Sequence, residues 1–486
     1  MFEPTHGGKQ EAELWPQAVL DLLAAGGDRP VFEHGHRAVS ADEMSGLIRR
    51  MAAGLRTAGI GPGDGVALTV GVTPEAFAVI IAAFAVGARV AGIRPGLTGD
   101  QLAHVLSTND SVLISDTRLA ELLAAPDDGI PLVAAGRPDD IARIIYTSGS
   151  TGNPKGCAQT YAAMTASWTA HPDRWPPAIR ELASRLRRYL VFGSLSSQVM
   201  MEYGVLALAA GGIMVTAHPP EFPGSFVRHR ATASVITVGK LYQLIRDQRA
   251  NPVDLGGLRA LMVSGSPLDP GRLREAIDVL GPVIFHGYGQ TETGMIAMVT
   301  PAEMASSDAA LASVGRPPAA VDVEIRDPRG HRVPAGGSGE LFVRTPAQAS
   351  GYWAEPAETA DVFAGGWVRT RDLARLGGDG YLRLLGRVRD VIIVNANLIY
   401  AGPIERALAE HPEVAEAYVV GRPDDRTGEA IHAYVVPQAN RLPEVDVLRK
   451  LVAGRLGDAA VPQTVTVIDR VPVAPSGKPD KRALRP

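Results

Sequence analysis

A single cysteine, Cys157, stands in the 486 residues. That excludes a disulfide framework and a cysteine-rich zinc site, and it suits a reducing cytoplasm. Excess positive charge is missing too. The formal net charge is −4, so neither nucleic acid nor an anionic membrane surface is indicated as a partner. The opening Met1-Phe2-Glu3-Pro4-Thr5-His6 lacks the basic-then-apolar pattern of a secretory signal. No long apolar run is uninterrupted. The strongest, 76–93, has about the minimum length of a membrane span, but Gly87 and Arg89 break it and Pro74 and Pro95 bracket it. It reads as a buried helix running into a short strand, so a cytoplasmic chain with no membrane span is expected. Internal repeats and low-complexity segments are also absent.

What remains is a folded globular composition, 46% hydrophobic and 21% charged, in a chain too long for one ordinary domain. Between 180 and 290, short apolar runs (190–192, 213–216, 234–237, 258–263, 283–285) alternate with helical spacing at 240–249 and 271–280. That alternation predicts a parallel sheet with helices on its faces. Residues 30–120 have the same texture, so two layered α/β subdomains are expected. After Gly294 the runs 321–326, 340–344 and 381–385 alternate apolar with polar, separated by turns such as Pro334-Ala335-Gly336-Gly337. They predict a small antiparallel, β-barrel-like unit. A compact α+β tail follows Arg387, with strands at 391–394, 417–420 and 430–436 and a helix at 445–456. The boundary falls at 386–390.

The most informative stretch is Tyr146-Thr147-Ser148-Gly149-Ser150-Thr151-Gly152-Asn153-Pro154-Lys155-Gly156. Its glycines allow a close bend, its hydroxyls and freed N–H groups can donate to phosphate oxygens, and Lys155 adds a point charge. The apolar lead-in 141–146 predicts a buried strand, so the loop would leave a sheet where α/β ligands bind. It is not a Walker A loop, which needs Gly-Lys-Ser/Thr. A flexible surface turn is the plain alternative, with Cys157 a small residue filling it. After the run 283–285 comes Tyr288-Gly289-Gln290-Thr291-Glu292-Thr293. A hydroxyl beside a carboxylate at a strand exit can contact phosphate and hold Mg²⁺ through oxygen, or the same residues can cap a helix through Thr291. Ser264-Gly265-Ser266-Pro267 is a strand-to-helix turn that is weak evidence alone.

Together these motifs resemble the adenylate-forming superfamily of acyl-CoA synthetases, amino-acid adenylation domains and luciferases. The resemblance runs from about residue 40 to the end. It implies a large ATP- and substrate-binding domain over 1–386, a hinge at 387–390 and a small mobile catalytic domain over 391–486. It implies that Thr147, Ser148, Gly149, Ser150, Thr151, Gly152 and Lys155 cradle the phosphates, and that Gly265, Ser266 and Pro267 line adenine. Tyr288 would flank the base, with Gly289 and Gln290 beside it. Thr291 would bind the α-phosphate and Glu292 would coordinate Mg²⁺. Asp372, in Val368-Arg369-Thr370-Arg371-Asp372, matches the aspartate that binds the ribose diol, although the usual preceding glycine is Arg371. Arg387 matches the ribose-contacting arginine and Arg389 the hinge. Lys478, in Ser476-Gly477-Lys478, matches the lysine between the attacking carboxylate and the α-phosphate, where a cation lowers the repulsion of two anions.

The implied reaction has two halves. A carboxylate attacks ATP and releases pyrophosphate, leaving an acyl-adenylate. Rotation then withdraws Lys478, and a thiol of CoA or of a separate carrier protein's pantetheine takes the acyl group. Ala396 stands where the family has a glycine along the pantetheine passage, and its methyl narrows that passage. An amine acceptor, or another oxyanion such as nitrite, therefore stays open, as does a non-catalytic nucleotide-binding protein. No acid follows Phe192, so an α-ammonium would lack its partner. Ser196, Lys240 and Gly287 fall around the substrate pocket. If Lys240 points inward the substrate carries a second polar or anionic group; the alternative is a solvent-facing lysine.

Overall fold

The computed structural model describes residues 13–93, 97, 99–147, 155–167, 169–217, 219–265, 268–394, 397–438, 441–473 and 479–484. Within them, a large N-terminal domain holds two mainly parallel sheets and one antiparallel sheet, and a smaller C-terminal domain holds a fourth. The eight-stranded sheet runs in the order Gly294–Val299, Ile284–Gln290, Ala260–Ser264, Ala233–Thr237, Arg188–Val191, Ile213–Thr216, Pro30–His34, Arg37–Ser40. The six-stranded sheet runs Gly351–Tyr352, Lys155–Thr160, Ile141–Thr147, Arg89–Gly92, Gly65–Thr69, Ser111–Ser115. Inner strands such as Ala260–Ser264 and Gly65–Thr69 are buried almost throughout, because helices cover both sheet faces.

The two layered units interleave rather than follow one another. Strand Pro30–His34 pairs in parallel with Ile213–Thr216, although the chain between them builds most of the six-stranded sheet. Helix Pro74–Ala85 explains the membrane-like stretch, since every residue in it but Glu75 is buried. Thr73 caps it by accepting from the Ala76 N–H, and Pro74 occupies the first turn where its missing N–H costs nothing. The helix ends in a Schellman closure: Gly87 N–H donates to Phe84 and Ala88 N–H to Ala83, with Gly87 at φ +84°. Strand Arg89–Gly92 follows directly.

The antiparallel unit orders Asp322–Arg326, Ser338–Arg344, Trp367–Leu376 and Phe363–Ala364, with Leu382–Arg387 also paired to Trp367–Leu376. Its alternating strands bury one face around Leu341, Val343, Ala374 and Leu382. The C-terminal sheet orders Asn397–Tyr400, Val391–Val394, Gly428–Pro437 and Val414–Asp424, with Thr464–Val467 parallel to Gly428–Pro437. Helices Ala401–Ala409 and Val445–Leu456 contribute to a separate core around Ile404, Leu408, Val435 and Leu448. Among the described residues no helix is long and apolar enough to cross a membrane.

Candidate active site

The glycine loop closes a β-hairpin. Strand Ile141–Thr147 lies inside its sheet, parallel to Arg89–Gly92, and the chain returns as antiparallel Lys155–Thr160, with Thr147 opposite Lys155. Residues 148–154 and the Thr147 side chain lie outside the described residues, so the roles expected of Ser148, Gly149, Ser150, Thr151 and Gly152 have no geometry here. Lys155 is placed, and its ammonium pairs with Glu358 at 3.2 Å. Cys157 does not fill a turn. It is buried in the returning strand opposite Tyr352, where burial first and Glu292 second push its thiol well above the usual range.

Tyr288, Gly289 and Gln290 belong to the strand Ile284–Gln290, which runs further than its apolar residues suggest. It folds back on Gly294–Val299 as a hairpin, with a register shift between Tyr288 and Gly289. Thr291 and Glu292 therefore sit at a hairpin turn and not at a capped helix. Glycine is required at 289, because a Cβ would meet the Gly294 carbonyl oxygen at 2.3 Å. A Cβ at Gly287, which is buried, would press on the Met262 methyl at 2.5 Å. The Glu292 carboxylate accepts from the Tyr352 hydroxyl at 2.6 Å. Burial and that carboxylate raise the Tyr352 pKa, which keeps the hydroxyl a donor.

Three donors converge on Asp372, which is 5% exposed. The Tyr288 hydroxyl donates to Oδ2 at 2.5 Å and Gln290 Nε2 to the same oxygen at 2.7 Å. Arg387 Nε meets Oδ1 at 2.6 Å. Burial and the Asp372 carboxylate push the Tyr288 phenol well above its ordinary pKa. A bulge aims Asp372. Across from Leu341 the strand Trp367–Leu376 shifts register, and Thr370 bridges the gap. Its hydroxyl donates to the Leu341 carbonyl at 2.7 Å and accepts from the Asp372 N–H at 3.1 Å. Arg371 takes up the turn at φ +58°. That left-handed region costs a non-glycine residue about 1–2 kcal/mol. Here two ion pairs hold it, to Glu358 at 2.9 Å and Asp361 at 2.5 Å.

Gly265 follows Ala260–Ser264 at φ +92°, and Ser266 and Pro267 are outside the described residues. Ser196 is half-buried, its backbone approached closely by Gly92, where a Cβ would meet the Ser196 carbonyl oxygen at 2.8 Å. Lys240 is exposed on the first turn of helix Val238–Ala250, so the inward orientation is corrected to the solvent-facing one. Thr237 caps that turn by accepting from the Lys240 N–H at 3.3 Å. Lys478 and Ala396, and the Arg389 side chain, also lie outside the described residues.

A cavity of about 320 Å³ was not anticipated from the sequence. Trp15, Gln198, Met201, Thr293, Met295 and Val321 are among its lining residues, whereas Ser196, Lys240 and Gly287 are not. Buried Arg143 forms one wall, held by Gln159 at 2.5 Å and Glu202 at 3.0 Å. The cavity gathers residues from seven separate stretches of the chain, and no short motif marks it. Tyr352 and Thr370 were missed for the same reason: their roles depend on partners 60 and 29 residues away.

A single carboxylate, Glu292, stands at the hairpin turn, and no cluster of three metal-ligating side chains occurs among the described residues. That donor set fits Mg²⁺, which is commonly held by one or two carboxylates together with phosphate oxygens. The AMP-binding enzyme family matches residues 22–353, and the AMP-binding enzyme C-terminal domain matches 403–478. A feruloyl-CoA synthase from Amycolatopsis sp is 33% identical over 93% of this chain and 94% of its own length. The medium/long-chain-fatty-acid–CoA ligase FadD8 of Mycobacterium tuberculosis is 34% identical over 73% of this chain and 63% of its own length. Among solved structures, the amide bond synthetase McbA from Marinactinospora thermotolerans superposes with a TM-score of 0.85 at 33% identity, covering 96% of this chain and 98% of McbA. The o-succinylbenzoate CoA synthetase MenE of Bacillus subtilis shares the fold, with a TM-score of 0.82 at 24% identity. The chain belongs to the adenylate-forming, AMP-binding enzyme family and is an ATP-dependent ligase.

Proposed function

We propose that the protein activates a small carboxylic acid as its acyl-adenylate and passes the acyl group to a thiol, as an aryl- or acyl-CoA synthetase does. The observation that carries this reading is the convergence on buried Asp372 of Tyr288 and Gln290, from the same hairpin that presents Thr291 and Glu292, and of Arg387, from the strand Leu382–Arg387. A carboxylate is an acceptor only and suits a ribose diol. Arg387, with 45% of its side chain exposed, is the partner that yields as the diol arrives. Tyr288 then stands beside adenine and Thr291 at the α-phosphate. Glu292 would hold Mg²⁺, which neutralises phosphate charge when bound. The carboxylate of the acid attacks the α-phosphorus and pyrophosphate leaves, with Lys478 relieving the repulsion between the two anions.

The acid's body occupies the 320 Å³ cavity beyond Thr293, whose largely apolar lining suits an aromatic or aliphatic acid. The small domain over 391–486 turns about 387–390 for the second step, and CoA or a separate carrier protein supplies the thiol. A cytoplasmic setting suits a lone, buried thiol at Cys157. A second reading gives the acyl group to an amine. The likeness to McbA across 96% of the chain favours it, and so does Ala396 at a usual glycine. A competition assay separates them: with the preferred acid and ATP, CoA and a panel of amines are supplied together and the product is identified by mass. A CoA thioester as sole product supports the first reading, and an amide as sole product replaces it with the second.

A further inference from the structure

The chain departs from its family at Arg371, and the structure shows what that residue touches. Its guanidinium reaches Glu358 and Asp361, both on helix Pro356–Val362. Glu358 also pairs with Lys155, through its other carboxylate oxygen, at 3.2 Å. One carboxylate is thus shared between the lysine that leaves the glycine loop and the arginine beside Asp372. Asp361 is itself shared with Arg369 at 3.1 Å, and Arg369 with Glu340 at 2.8 Å, so the row alternates in sign from end to end. Lys155 has 15% of its side chain exposed and Glu358 23%, so solvent screens their pair only in part. Burial works to raise the Glu358 pKa, but Lys155 and Arg371 outweigh it and hold the group below its ordinary value, ionised at neutral pH.

We infer that Glu358 is a resting counter-ion for Lys155, shared with Arg371, and that this sharing sets how readily Lys155 turns to an incoming triphosphate. The inference rests on the reading of Lys155 as a phosphate-binding residue. Before nucleotide arrives, Lys155 is neutralised by Glu358. A triphosphate brings several negative charges and must compete with that carboxylate. Arg371 draws on the same carboxylate and weakens its hold on the lysine. Glu358 and Arg371 therefore act on triphosphate affinity with opposite signs, and neither touches the substrate. They are positioning residues.

The test is equilibrium binding of a non-cleavable ATP analogue and of AMP to the full-length protein. AMP lacks the β- and γ-phosphates and serves as the internal control. Glu358→Gln keeps the shape and removes the charge. It should bind the ATP analogue about 3- to 10-fold more tightly, the scale of one partly exposed ion pair, with AMP affinity unchanged. Arg371→Met keeps a non-glycine residue in the left-handed region but leaves Glu358 to Lys155 alone. It should weaken the ATP analogue by a similar factor, and Arg371→Lys should recover much of the loss. Should Glu358→Gln fail to fold, Asp361→Asn frees Arg371 for Glu358 and should tighten the ATP analogue selectively. Shifts of the same size for AMP and the ATP analogue, shifts of the opposite sign, or no shift overturn the counter-ion role. A wild type that binds neither nucleotide overturns the nucleotide reading itself, and this inference with it.

Discussion

Asp372 accepts three hydrogen bonds from side chains 84, 82 and 15 residues away in sequence, and each fixes one direction of its carboxylate. Charge-assisted bonds of this kind are worth about 1.5–3 kcal/mol each. Asp372→Asn, which keeps the shape but weakens the acceptor, should raise KM for ATP about 10- to 100-fold. It should also reduce the preference for ATP over 2′-deoxy-ATP, measured as the ratio of kcat/KM. A second residue governs acid stability. His286 is 3% exposed in the strand that carries Tyr288, and burial pushes its pKa down to about 4 from 6.5. The folded ring refuses a proton that the unfolded chain accepts below about 6.5. Stability present above that pH is therefore lost as pH falls toward 4. His286→Gln should flatten the dependence of the denaturation midpoint between pH 4.5 and 7, and an unchanged slope would contradict the assignment. Asp372 itself was legible from its local motif. Its partners were not, because pairing across 84 residues is a property of topology. Arg371 was visible as a departure, but neither its left-handed backbone nor its two carboxylate partners follow from the residues around it.

At the scale of elements, the bulge opposite Leu341 decides where Asp372 points. Thr370 is buried, and its hydroxyl satisfies a carbonyl on one side and the Asp372 N–H on the other. Thr370→Val keeps the branched shape and leaves both groups unpaired, a loss of about 1–3 kcal/mol. Denaturant unfolding should record that loss, with a higher KM for ATP because the carboxylate is no longer held. Unchanged stability and KM would show that the hydroxyl does not aim Asp372. Apolar runs predicted most strands near their centres, as at 213–216 and 391–394, where the runs and strands coincide. They failed at the ends. Ile284–Gln290 continues three residues past its last buried position at Gly287, because ladder hydrogen bonds extend where burial does not. Val414–Asp424 likewise includes Glu416, Arg422 and Asp424, since its outer face is not packed in the core. Bulges and hairpin closures leave no period in the apolar pattern, and those are the features that place the site.

Over the whole molecule, the order of motifs along the chain mapped onto a large domain followed by a small one, each with its own core. The sequence could not reveal that the two layered sheets interleave, because a strand's partner is not encoded in its own residues. The domains touch through Arg272, whose guanidinium donates to the Val414 and Ala415 carbonyls at 2.8 and 3.1 Å. The proposed rotation about 387–390 would break these bonds. The central claim is that a carboxylate is activated by adenylation. ATP–pyrophosphate exchange dependent on added acid, with pooled aromatic, fatty and dicarboxylic acids, tests it without any acceptor. Exchange that requires both acid and Mg²⁺, and that falls about 100-fold or more in Lys478→Ala while ATP binding persists, is the predicted result. A folded, ATP-binding protein that shows no exchange with any acid would contradict it.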